Sequence, residues 1–145
     1  MDQSKVKEFC EKHIENLCNL LWLGNWKITL GYTDEKMNGG ESSSLWCSFK
    51  LNYYTAHINI NPFECDSDEE TLSHLIHELL HIVLSRYEVY RLTIEENYQS
   101  ADNMLGLFNN CNEQTITILQ NIFCGIYKEK YLKEDKEENE NEKTD

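Results

Sequence analysis

The chain is short of positive charge, of long apolar runs and of paired cysteines, and each shortage excludes something. Lysine and arginine number 13 against 26 aspartates and glutamates, a formal net charge of −13. A surface this acidic repels phosphate, so nucleic acid and anionic membranes are poor partners, and a basic peptide or protein is steered towards it. No apolar run reaches the roughly 20 residues of a membrane-spanning helix. The opening MDQSKVKEFCEKH is charged and has no apolar stretch of the secretory type. Cys10, Cys18, Cys47, Cys65, Cys111 and Cys124 form no C-x-x-C pair and no zinc-ribbon spacing. These features predict an intracellular, cytoplasmic chain whose thiols stay reduced and pack as small hydrophobes.

What is present suits one folded domain. At 145 residues the chain can bury a core without disulfides, and its 40% hydrophobic and 27% charged residues are ordinary for a globular protein. Residues 133–145, KEDKEENENEKTD, contain three lysines, seven acids and nothing apolar. They are expected to form a solvated tail beyond a single domain over 1–132.

Val6, Phe9, Cys10, Ile14, Leu17, Leu20 and Leu21 recur at helical spacing, which predicts a helix over 4–22 with Ser4 as its cap and Gly24 as its end. NWKITLGY, LWCSFKL and AHINI alternate apolar and polar residues, as half-buried strands do. Three strands in close succession favour an antiparallel meander. A second helix is expected from Ser67 or Asp68 through Leu84. A third runs over 92–108, with Thr93 and Glu96 as a capping box, and Asn109 and Asn110 break it. The last has an apolar stripe of Ile116, Leu119, Ile122, Phe123 and Ile126. The expected fold is α+β: a small, three- to four-stranded, mostly antiparallel sheet packed on a central helix, with one N-terminal and two C-terminal helices. Trp22, Trp46, Tyr53 and Tyr54 can line a binding face, but most of them are expected in the core.

The central helix carries SHLIHELLHIVL, residues 73–84. At about 100° per residue, Leu72, Leu75, Ile76, Leu79, Leu80 and Val83 fall on one side, while His74, His77, Glu78 and His81 fall on the other. His77 and His81 are four residues apart and point the same way, so their imidazoles can close on one zinc ion. Glu78 is turned off that line, which suits a general base acting on a metal-bound water. This is the H-E-x-x-H pattern, His77-Glu78-Leu79-Leu80-His81. A catalytic zinc needs a third protein ligand. Glu113 lies at the edge of the last helix's apolar stripe and is the first choice, followed by Asp102 and Glu96. The competing reading makes Glu113 a cap partner of Asn110 in an N-x-x-E box. His74 lies about 10.5 Å along the axis from His81, too far to share a small ion without strain. It is expected to line the cleft, as a substrate-binding residue or a partly exposed histidine. His57 and Asn59, on the strand before this helix, are further substrate-binding candidates if that strand is the sheet edge where an extended peptide pairs.

These motifs resemble the zincin metallopeptidases, in particular the gluzincin type and its very small phage- and prophage-type representatives. The resemblance spans roughly residues 20–127: a W-x-I-x-L strand (Trp26, Ile28, Leu30), an A-x-I-x-I strand (Ala56, Ile58, Ile60), T-L-x-H-x-x-HELLH, and a late E-x-x-I-x-x-L helix (Glu113, Ile116, Leu119). It implies a zinc-dependent peptidase with His77, His81 and Glu113 as ligands and Glu78 as general base, acting on a peptide or protein as a monomer or small homo-oligomer. Thr117 stands where such proteins often carry an aspartate four residues beyond the third ligand, so the bond behind the ligands differs here. Two other functions fit the same residues: a non-catalytic zinc-binding or protein-interaction module, and a regulatory protease specific for one partner.

Overall fold

The computed structural model describes residues 3–33, 45–85 and 102–132, with the side chains of the last segment from Asn110 onwards. In chain order these form α1 (Gln3–Leu20), β1 (Lys27–Tyr32), β2 (Leu45–Lys50), β3 (Thr55–Ile60), α2 (Asp68–Val83) and α3 (Asp102–Tyr127), which runs into a π-helical turn over Lys128–Leu132. The fold is α+β, with three α-helices and one three-stranded sheet among the described residues.

The sheet is mixed, which corrects the expected meander. Its order is β1-β3-β2, with β3 central, parallel to β1 and antiparallel to β2. Apolar alternation marks the two faces of a strand but not its neighbours, so the pattern was compatible with either order. The turn decides one pairing: Leu51–Tyr53 form a 3-10 turn and Tyr54 adopts a left-handed conformation, φ 48°, which folds β3 straight back along β2. β1 then takes the other side of β3, with Ile28 opposite Ala56 and Leu30 opposite Ile58.

One face of this sheet is core. Leu45, Ala56, Ile58 and Ile60 are at most 5% exposed. The other face presents Lys27, Thr29, Ser48, Lys50, Thr55 and His57 around an open hollow of about 330 Å³. There His57 Nδ1 lies 2.8 Å from Thr29 Oγ1. Gly31 permits this packing, because a Cβ at that position would lie 2.6 Å from His57 Nε2.

α1 begins by Gln3, so Ser4 lies inside the helix rather than capping it. Its end is not made by Gly24. Leu23 N donates to Cys18 O at 2.8 Å and Trp22 N to Asn19 O at 3.3 Å, the paired bonds of a Schellman cap, with Trp22 in the left-handed position at φ 54°. Buried His13, one turn from Cys10, reaches Tyr127 Oη at 2.8 Å and ties α1 to the end of α3. Trp22, Tyr53 and Tyr54 are 84%, 76% and 44% exposed, so the expectation of an aromatic core fails for these three. All of them sit in turns, which run over the surface.

α2 starts where the sequence indicates. Ser67 Oγ accepts from Glu70 N at 3.1 Å, and Glu70 Oε2 accepts from Asp66 N at 3.1 Å. The helix packs against α3, β2 and α1. α3 departs from expectation in two ways. It passes unbroken through Asn109 and Asn110, and its core-facing line is Ile116 and Tyr127, both fully buried, with the expected Leu119 and Phe123 partly buried against the core, while Ile122 and Ile126 are turned out at 52% and 43% exposure. Asparagine costs only a fraction of a kcal/mol inside a helix, on the order of 0.7, which packing against α2 readily exceeds. Thr93, Glu96 and the tail over 133–145 lie outside the described residues. No helix among the described residues is long and apolar enough to cross a membrane.

A non-glycine residue at the left-handed cap position carries a backbone penalty, and the exposed Trp22 side chain offsets little of it. Trp22→Gly is therefore expected to raise stability by about 0.5–1 kcal/mol, read as a higher urea midpoint at unchanged slope; a lower midpoint would contradict this account of the turn.

Candidate metal centre

The burial of α2 sets the direction of its polar side. Leu72, Leu75, Ile76, Leu79, Leu80 and Ile82 are 0–1% exposed, so the helix cannot rotate without stripping apolar side chains from the core. Val83, assigned by the helical wheel to the apolar side, is 37% exposed at the last position of the helix. Once the apolar side is anchored, His77 and His81 stand one turn apart on the accessible side and face α3.

There they meet Glu113. His77 Nε2 and His81 Nε2 are 3.2 Å apart. One carboxylate oxygen of Glu113 lies 3.6 Å from His77 Nε2, and the other lies 3.6 Å from His81 Nε2. A tetrahedral ion with bonds of ~2.0–2.1 Å sets its ligand atoms roughly 3.3–3.4 Å apart; the imidazole pair stands within a few tenths of an ångström of that, and so does each imidazole from its own carboxylate oxygen of Glu113. Among the described residues, His77, His81 and Glu113 form a group that can hold a metal ion. The continuity of α3 also decides the rival reading of Glu113. It sits well inside a 26-residue helix, so it is not the cap partner of Asn110. Of the other candidates for this role, Glu96 and the side chain of Asp102 lie outside the described residues.

Glu78 is not a member of the group. Its carboxyl lies beside Cys47 of β2, whose thiol and backbone N–H favour its charged form. Burial raises its pKa above the usual carboxylate range, and nearby Glu113 adds to this, while the Cys47 bonds and His77 pull it back. The net direction is upward, towards the range of a working base. Glu113 itself is 55% exposed and the two imidazoles are 25% and 24% exposed, so the group opens to solvent on the Glu113 side.

Behind His77 stands Gln120. Its Oε1 lies 3.2 Å from His77 Nδ1, and its Nε2 donates to Ser73 O at 2.9 Å and Ser73 Oγ at 2.7 Å. Sequence reasoning did not single out Gln120, Ser73 or Cys47. The one available signal was spacing: Gln120 follows Glu113 by seven residues, two turns along the same face.

The other candidates lie elsewhere. His74 is half-buried one turn before His77, and burial lowers its pKa, which favours the neutral imidazole. His57 and Asn59 alternate with the core residues of β3 and so face the opposite side of the sheet from α2. β3 is flanked on both sides, so it is not the edge on which a peptide could add; among the described residues β2, the strand packed on α2, is an edge of the sheet.

No protein-family model matches the chain, and neither a curated protein nor a solved structure gives a significant match.

Titration of metal-free protein with a divalent transition metal is expected to saturate at about one ion per chain. His77→Ala and His81→Ala should each abolish tight binding, and Glu113→Ala should weaken it. Undiminished binding by His77→Ala, measured by elemental analysis after gel filtration, would remove the site.

Proposed function

We propose that this protein is a zinc-dependent metallopeptidase of minimal zincin-like build, acting on a peptide or protein substrate. The observation that carries the proposal is the convergence of two imidazoles and a carboxylate, with a second, independently held carboxyl on the residue following the first imidazole. Two histidines and a glutamate are a donor set of catalytic zinc sites, which keep a fourth position open. The solvent-facing side of the group supports an open position over a closed structural one.

His77, His81 and Glu113 would hold the ion. When bound, zinc supplies Lewis acidity, lowering the pKa of a coordinated water towards about 7 and polarising a carbonyl oxygen. The remaining work falls to the protein. Glu78 takes a proton on its carboxylate and returns it to the departing amine. Cys47 stands beside that carboxylate and favours its charged form. Burial raises the carboxyl's pKa, which favours its taking up a proton. The edge that β2 forms among the described residues is the place where an extended substrate would pair by main-chain bonds beside the site. The acidic surface draws basic segments towards it.

The test separates binding from chemistry. Glu78→Gln should retain one zinc per chain, yet lower peptide cleavage by about a hundred- to ten-thousand-fold, as expected for loss of a general base. Cleavage is followed by mass spectrometry on a mixture of unfolded proteins and on lysate fractions, so that a protease restricted to one partner is also detected. Zinc-dependent melting with no cleavage by the wild type would instead assign the metal to stability alone. Full activity in Glu78→Gln would remove Glu78 from its role.

A further inference from the structure

We infer that Gln120 is a positioning residue that locks His77 into the one neutral tautomer able to offer Nε2 to a metal. The inference deepens the metallopeptidase reading and rests on it for the purpose of the lock, though not for its existence.

The hydrogen positions follow from two atoms that can only accept. The first is Ser73 O, a backbone carbonyl 2.9 Å from Gln120 Nε2. A carbonyl cannot donate, so the group facing it must be the amide NH2; the flipped amide would set two acceptors against each other. Ser73 Oγ, at 2.7 Å, takes the second hydrogen of that NH2. The amide oxygen is thereby turned towards His77, with Oε1 3.2 Å from Nδ1. Oε1 is the second atom that only accepts, so Nδ1 must carry the hydrogen. In a neutral imidazole the lone pair is then on Nε2, the nitrogen that faces His81 and Glu113. A main-chain carbonyl of α2 therefore determines, through one glutamine, which nitrogen of His77 is free.

The geometry also explains how α3 serves both sides of one ring. Glu113 approaches Nε2 from the front, and Gln120, two turns further along the same face, approaches Nδ1 from behind. Thr117, between them, cannot share this work: it is exposed and its hydroxyl donates to Glu113 O at 2.9 Å. A neutral amide does here what a carboxylate does behind many metal-bound histidines. It orients the ring without adding a negative charge, so the metal keeps more of its positive charge for the water and the substrate.

The experiment uses the full chain and two variants that separate the halves of the amide. Gln120→Leu removes both the acceptor for His77 and the donor to Ser73. Gln120→Glu keeps an acceptor for His77 and loses the donor. Long-range 1H–15N correlation spectra of the metal-free protein, at a pH where His77 is neutral, read the tautomer directly. Competition with a chromogenic chelator reads zinc affinity. Wild type and Gln120→Glu should both show His77 protonated on Nδ1, with zinc affinities within a few-fold of each other. Gln120→Leu should lose that single tautomer and bind zinc about 10–100-fold more weakly. The inference is overturned if Gln120→Leu leaves tautomer and affinity unchanged. It is overturned equally if Gln120→Glu falls as far as Gln120→Leu, because a mere tether between helices needs the Ser73 bonds that both variants lack. A wild type that binds no zinc while His77 is fixed on Nδ1 would remove the metallopeptidase reading and leave the lock standing.

Discussion

The apolar side of α2 must stay out of water, and the arrangement of the site follows from that constraint. Leu72, Leu75, Ile76, Leu79, Leu80 and Ile82 are all but inaccessible, and each such side chain contributes about 1.5–3 kcal/mol when buried. Turning the helix by one residue, about 100°, would expose leucines and push ionisable groups into the core. The core therefore fixes the direction in which His77, Glu78 and His81 leave the helix. Their spacing along the chain then places two of them side by side and sends the third towards β2.

Polar contacts refine what the core sets coarsely. α2 is pinned along its length: Ser67 caps its start, Glu69 pairs with Lys128, Ser73 and His77 meet Gln120, and Glu78 meets Cys47. The exposed Glu69–Lys128 pair adds little in water. The contacts around Gln120 and Glu78 are half-buried, where an unmade bond is costly and a made one is specific. Thus the groups nearest the site are also those whose geometry is most tightly determined.

Much of this was legible in the sequence, and the rest was not for identifiable reasons. HELLH within a leucine-rich helix spells both the imidazole pair and the face it occupies, because period and chemistry coincide in one short segment. The strands were legible from alternation, and the start of α2 from Ser67 and the acids after it. Strand order was not, since Ile28–Leu30 and Ala56–Ile60 alternate identically whichever strand lies between them. The unbroken run through Asn109 and Asn110 depends on packing that local propensity does not contain. Glu113 was legible as a candidate but not separable from a cap until the helix was seen to begin well before it. Gln120 left no mark of its own: a glutamine on a helix is ordinary, and its significance comes from a histidine 43 positions earlier in the chain.

Placing Glu113 and Gln120 on one continuous helix makes α3 a ruler with two marks. A slip of one residue against α2 is only about 1.5 Å of travel, yet it swings both marks away together. Front and back contacts to His77 are thus engaged or lost as a unit, and the centre reports the register of two helices. Whatever grips the outward face of α3, where Ile118, Ile122 and Ile126 lie exposed, grips the ruler itself.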